Sequence, residues 1–189
     1  LHTPLALPFL SPLSFSQMFL LTTLLVLARI RDATALVGLP FCAHTYPGVE
    51  LVLCTSLVPV ASTWNEALSL LILAAIEQVK PVKPLIDGLG PKLPPSLRPI
   101  SRDSIVQTCS ESYGNILDEF NGALENIRTG DKTGAINSQL SAALSSLSDC
   151  TDGLEEFGID GGDLKRFQGI LEKYASLSLA VSSTKTKKT

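Results

Sequence analysis

The chain has 189 residues and a formal net charge of −3, with 4 Cys, 1 Met and 1 Trp. That length suits one domain, and the apolar content is ample for a core. No basic stripe and no RNA-reading aromatic motif occurs, so no nucleic acid is expected as a partner, and the one basic cluster, Lys185 to Lys188, reads as a solvated tail at 184–189.

Residues 1–35 read as a leader. Met18 is followed by the apolar run "FLLTTLLVLA", the charged "RIRD" and the small-x-small Ala33-Thr34-Ala35, the form of a secretory signal cleaved near Ala35. The run is shorter than the about 20 residues that hydrocarbon crossing needs, so no stable membrane span is expected. Loss of the leader leaves 13 basic and 17 acidic groups, a mildly acidic chain. In an oxidising compartment Cys42, Cys54, Cys109 and Cys150 argue for two disulfides, and spacing alone leaves three pairings open. No metal site is expected, because there is no CxxC or HxxxH spacing and His44 is the only histidine after the leader. No glycine-rich phosphate loop is present, and no cofactor is expected.

Residues 36–61 hold the first two cysteines around "AHTYPGVELVL", with a turn at Pro47-Gly48, and read as an N-terminal hairpin. "VELVL" at 49–53 is the one stretch with a competing alternating pattern. From residue 62 helical spacing takes over. Thr63 and Glu66 have the form of a capping box, and Trp64, Leu68, Leu71, Ala75, Ile76 and Val79 follow on one face. Pro81 and Pro84 stop or kink that helix, and "GLGPKLPPSLRP" forms a proline-rich connection. Ser101 opens a long helix with Ile105, Cys109, Tyr113, Ile116, Leu117, Phe120, Leu124 and Ile127 in its stripe. "TGD" at 129–131 breaks it. The next helix carries Ile136, Leu140, Leu144, Leu147, Cys150 and Leu154 without interruption. After "GIDGGD", Leu164, Phe167, Leu171, Tyr174, Leu177 and Val181 form the last stripe.

Four helices with short breaks between the last three predict an all-α, up-and-down four-helix bundle at 62–183 with the hairpin as an extension. In an antiparallel hairpin centred near 129–131, Cys109 lies about 21 residues before the centre and Cys150 about 20 after it. At 1.5 Å per residue the two thiols reach the same height, which selects Cys109 with Cys150 and leaves Cys42 with Cys54.

The stretches "FCAHTYPGVELVLC", "TCSESYGNILDEFNGALENI" and "LSAALSSLSDCTDGLEE", with four cysteines in that order, resemble the plant invertase and pectin methylesterase inhibitors. The resemblance covers roughly 41–182. It implies a secreted protein of the extracellular space, apoplast or vacuole. The implied architecture is a short helical hairpin on a four-helix bundle, and the second disulfide joins the second and third bundle helices. It also implies a 1:1 protein complex with pectin methylesterase or invertase, the bundle's polar faces meeting the enzyme.

An enzymatic role fits the residues poorly. A serine triad would have to use His44, and the acid pairs Asp118-Glu119 and Glu155-Glu156 read as solvated helical faces. Outside the stripes the long helix presents Glu111, Ser112, Asn115, Asp118, Glu119 and Glu125. The following one presents Asn137, Ser141, Ser145, Ser148, Asp149, Asp152 and Glu155. These polar positions are the expected contacts of an occluding inhibitor. Some invertase inhibitors carry Pro-Lys-Phe after the Gly-Asp that ends the long helix, whereas here Gly130-Asp131 leads into Lys132-Thr133-Gly134. The missing wedge favours pectin methylesterase as target, with invertase as the alternative and a non-inhibitory ligand carrier as a further one.

Overall fold

The computed structural model describes residues 40–43 and 49–184. The leader expected at 1–35, His44 and the tail beyond Thr184 lie outside the described residues. Residues 40–42 are helical, and α1 (Val49–Leu57) follows. The alternating "VELVL" is therefore helix and not strand. Leu51, Cys54 and Val58 recur at spacings of three and four, which puts the Cys54 thiol beside Cys42 in a disulfide, with Val58 buried.

Helix α2 (Trp64–Val79) begins at Thr63, whose extended backbone (φ −127°, ψ 158°) lets its Oγ1 accept the Glu66 N–H at 3.2 Å. The return half of the box closes one residue earlier than the sequence suggests. The Glu66 carboxylate accepts from the N–H and Oγ of Ser62, each at 2.9 Å, and the Ser62 backbone N–H bond leads in lowering its pKa. Pro81 and Pro84 kink the column without ending it. A 3₁₀ turn (Lys80–Val82) and α3 (Lys83–Asp87) each take a proline in the first turn, where its missing N–H costs no helix bond. Val82 and Ile86 continue the buried stripe. The proline-rich connection then makes a second 3₁₀ turn (Gly90–Lys92), held to the next helix by Arg102, whose Nη2 donates to the carbonyls of Gly90 (3.2 Å) and Leu93 (3.1 Å).

Helix α4 (Pro99–Thr129) starts two residues before the expected Ser101, again with proline in its first turn. At 31 residues it is about 46 Å long. It ends at Gly130, whose φ of 87° suits a residue without Cβ, and Asp131 Oδ1 accepts the Ala135 N–H at 2.9 Å to open α5 (Ala135–Ser145). The single helix expected over 136–154 is two. It unwinds at 146–148 and resumes as α6 (Asp149–Glu156), after which α7 (Gly162–Ser182) completes the fold.

Four columns result: α2 with α3, α4, α5 with α6, and α7. α4 packs on α2, α5 and α6, while α7 packs on α2 and α5, so the ring closes as a four-helix bundle with α1 against α2 and α7. Phe120, Leu68, Leu71, Ile72, Ile116, Ile136, Leu140, Leu154 and Leu171 fill its centre. The Cys109–Cys150 disulfide brings α4 and α6 to a Cα separation of 4.3 Å. Directional bonds fix the other columns: Ser182 Oγ donates to Asn137 Oδ1 (2.5 Å), and Asn126 Nδ2 donates to Gln139 Oε1 (2.9 Å). Tyr113 is 3% exposed, and its buried hydroxyl has no hydrogen-bond partner. Burial pushes its pKa up to about 12.

No described helix is long and apolar enough to cross a membrane, and among the described residues no group of three or more His, Cys, Asp or Glu is arranged to hold a metal ion.

Candidate functional site

The polar side of α4 and the acidic side of α6 enclose an open groove of about 470 Å³. Its α4 wall is Ser104, Thr108, Glu111 and Asn115, successive at spacings of four, three and four, which is the geometry of one helical face. Its α6 wall is Asp149, Asp152, Gly153 and Glu156, with Phe157 at the end. Ile105 and Ser112 lie at its floor, both 2% exposed.

The disulfide places these walls: Cys109 and Cys150 bring the helices close, and a Cβ at Gly153 would make only ordinary contact with Thr108 Cγ2, at 3.8 Å. Asp149 and Asp152 occupy the first turn of α6, where carboxylates are favoured by the helix dipole.

Of the residues singled out from sequence, the groove gathers Glu111, Asn115, Asp149 and Asp152. Asp118 is exposed on the same α4 face, one turn beyond Asn115, and Glu119 is half-buried beside it. Asn137 is engaged with Ser182 between helices, so it serves packing. Ser141 and Ser145 form an exposed stripe on α5, with Ser145 Oγ returned to the Ser141 carbonyl at 2.9 Å. Glu155 faces α7, where Lys165 Nζ meets it at 2.6 Å, and that bond raises the lysine pKa. Ser112, read from sequence as part of the polar face, is buried, because its hydroxyl finds a carbonyl inside the bundle. Sequence reading missed Ser104, Thr108, Gly153, Glu156 and Phe157. The polar stripe 104-108-111-115 was available as a signal. Phe157, three residues after Leu154, extends the core spacing, yet it is 43% exposed because α6 ends at Glu156.

The groove's charge is one-sided. Four carboxylates, Glu111, Asp149, Asp152 and Glu156, line it, and Glu111 also accepts a bond from Gln107 Nε2 at 2.7 Å. On the neighbouring helices Arg128 pairs with Glu125, Lys165 with Glu155 and Arg166 with Asp163. An open, acidic concavity on a rigid, cross-linked scaffold is suited to receiving cationic and hydrogen-bond-donating groups of a protein surface.

A solved structure described as a mutant form of a pectin methylesterase inhibitor from Arabidopsis superposes with a TM-score of 0.56 at 16% identity, over 75% of this chain and 92% of its own, which establishes a shared fold. Comparison with curated proteins gave no match. The family model of the plant invertase/pectin methylesterase inhibitors matches residues 41–181, a span holding all four cysteines, the groove and the bundle but for the last residue of α7. The chain therefore belongs to the plant invertase/pectin methylesterase inhibitor family.

Proposed function

We propose that this protein is a secreted inhibitor of pectin methylesterase that acts by reversible occlusion of the active-site cleft. The observation that carries the mode of action is the acidic groove between α4 and α6, a polar concave face on a disulfide-bonded bundle. Occlusion needs no chemistry from the inhibitor. It needs a surface that keeps its shape while excluding substrate, so the complex forms without loss of loop entropy. With this groove as the docking surface, a 1:1 complex is expected.

Two points support pectin methylesterase over invertase. The turn after α4 reads Gly130-Asp131-Lys132-Thr133-Gly134, with no apolar residue to wedge into an invertase cleft. The structurally similar Arabidopsis protein is itself described as a pectin methylesterase inhibitor. Secretion into the apoplast agrees with the leader-like start and the two disulfides.

Titration of the purified protein against a pectin methylesterase and an acid invertase, at mildly acid pH, tests the reading. Stoichiometric, reversible loss of methylesterase activity with invertase spared is the expected result. Strong invertase inhibition with methylesterase untouched reverses the target, and inhibition of neither removes the occlusion mechanism.

A further inference from the structure

The apolar spacing of Ile136, Leu140, Leu144, Leu147, Cys150 and Leu154 fits one unbroken helix, and the segment 146–148 contains neither glycine nor proline to interrupt it. The chain unwinds there all the same, with Ser146 at φ −78°, ψ −6° and Ser148 at φ −87°, ψ −18°. A bond from across the bundle meets the break. Ser112, 2% exposed on α4, donates its Oγ to the Ser146 carbonyl at 2.7 Å. In a continuous helix that carbonyl would accept the N–H of Cys150, four residues on. A side-chain hydroxyl inserted into the ladder is an established way to break a helix.

We propose that Ser112 is a positioning residue of the docking groove: its buried hydroxyl, bonded to the Ser146 carbonyl, holds the helix break that sets the axis and phase of α6 against α4. The inference rests on the docking role of the groove. Ser112 and Cys109 stand one turn apart on α4, and together they grip the start of α6, at the break and at Cys150. The third grip comes from the other side, where Thr151 Oγ1 donates to Gln168 Oε1 of α7 at 2.6 Å. With its axis fixed independently of α5, α6 delivers Asp149, Asp152 and Glu156 to one wall opposite Glu111 and Asn115. An uninterrupted helix would keep those side chains on the axis and in the phase of α5, so that they would meet Glu111 and Asn115 in a different register.

Two readouts test this. Ser112→Ala and Asp152→Asn, singly and combined, are assayed for inhibition of pectin methylesterase, and amide exchange is followed at residues 146–151 in Ser112→Ala. Ser112→Ala should weaken inhibition about tenfold, the scale of one lost buried hydrogen bond. Asp152→Asn should add little in that background, because Ser112 acts through the placement of α6. The Cys150 amide should gain protection as the freed Ser146 carbonyl accepts it, whereas Ser112→Thr, which keeps the hydroxyl, should preserve the parent's exchange pattern. Additive losses in the double variant, or unchanged exchange at Cys150 in Ser112→Ala, would overturn the positioning role. A parent protein that fails to inhibit overturns the docking reading instead, and the exchange measurement still decides whether Ser112 makes the break.

Discussion

The indole Nε1 of Trp64 donates to the carbonyl of Val181 at 2.9 Å, so the first residue of α2 closes onto the last turn of α7. This bond joins the beginning and end of the bundle across 117 residues of sequence. Trp64→Phe keeps most of the ring and removes the donor, while the Val181 carbonyl keeps the bonds it accepts from the Thr184 N–H and Oγ1. The expected cost is about 1 kcal/mol, read as a shift of the urea midpoint with an unchanged slope. Frayed exchange behaviour should then appear first in the last turn of α7.

Cys150→Ser should cost more. The Cys109–Cys150 bond closes a loop with a sequence separation of 41, which the chain-entropy model values at about 4 kcal/mol. The serine hydroxyl would also sit where no part of the side chain is exposed. Thermal unfolding should shift down by several degrees, and peptide mapping of the unreduced parent should return Cys42–Cys54 and Cys109–Cys150 as the two links. Any mixed link, such as Cys54 with Cys109, contradicts the hairpin register.

Tyr113 makes the opposite prediction. Its hydroxyl is buried without a partner, so Tyr113→Phe should raise stability at neutral pH by about 1 kcal/mol. The pH dependence has a defined sign. Burial raises the folded pKa to about 12, above the unfolded value of 10, so the folded state holds its proton where the unfolded chain has released it. The contribution is present in full below pH 10 and is lost as pH rises from there through 12. Stability of the parent should decline over that window by more than that of Tyr113→Phe, measured by denaturant unfolding at a series of alkaline pH values.

The bundle and its cross-links were legible in the sequence because each rests on local periodicity. Leu68 to Val79, Ile105 to Ile127, Ile136 to Leu154 and Leu164 to Val181 repeat at three and four, and the hairpin centred near 129–131 puts Cys109 and Cys150 of two such stripes at one height. The features that sequence did not disclose depend on contacts between distant residues. The break at 146–148 is met by a hydroxyl on α4 and holds neither glycine nor proline of its own. The continuation through Pro81 and Pro84 was hidden because proline signals a stop, while Val82 and Ile86 still had a core to enter. The groove was half visible. Glu111, Asn115, Asp149 and Asp152 lie on polar faces, but the axis and phase of α6 that gather them also send Glu155 to Lys165 and leave Phe157 at the rim.

Salt should weaken the complex if the groove's carboxylates meet cationic groups. Exposed charges are screened over about 8 Å at physiological ionic strength. Apparent affinity for pectin methylesterase should therefore fall on going from 50 mM to 500 mM sodium chloride, mainly through slower association. Association rates from surface-immobilised enzyme check this. Rates independent of salt would mean that the groove's charge plays no part.

The most direct test of the central claim is inhibition of pectin methylesterase by the parent and by Asp149→Lys/Asp152→Lys, titrated side by side. Both substitutions fall at exposed positions, so circular dichroism should keep its helical signature, and melting should fall only by the favour that the α6 dipole gives to carboxylates in its first turn. The groove accounts for binding if the parent titrates the enzyme one to one while the double variant needs at least about a hundredfold more protein, the scale expected of two reversed charges at an interface. Equal inhibition by the two proteins would contradict it and place the contact surface elsewhere on the bundle.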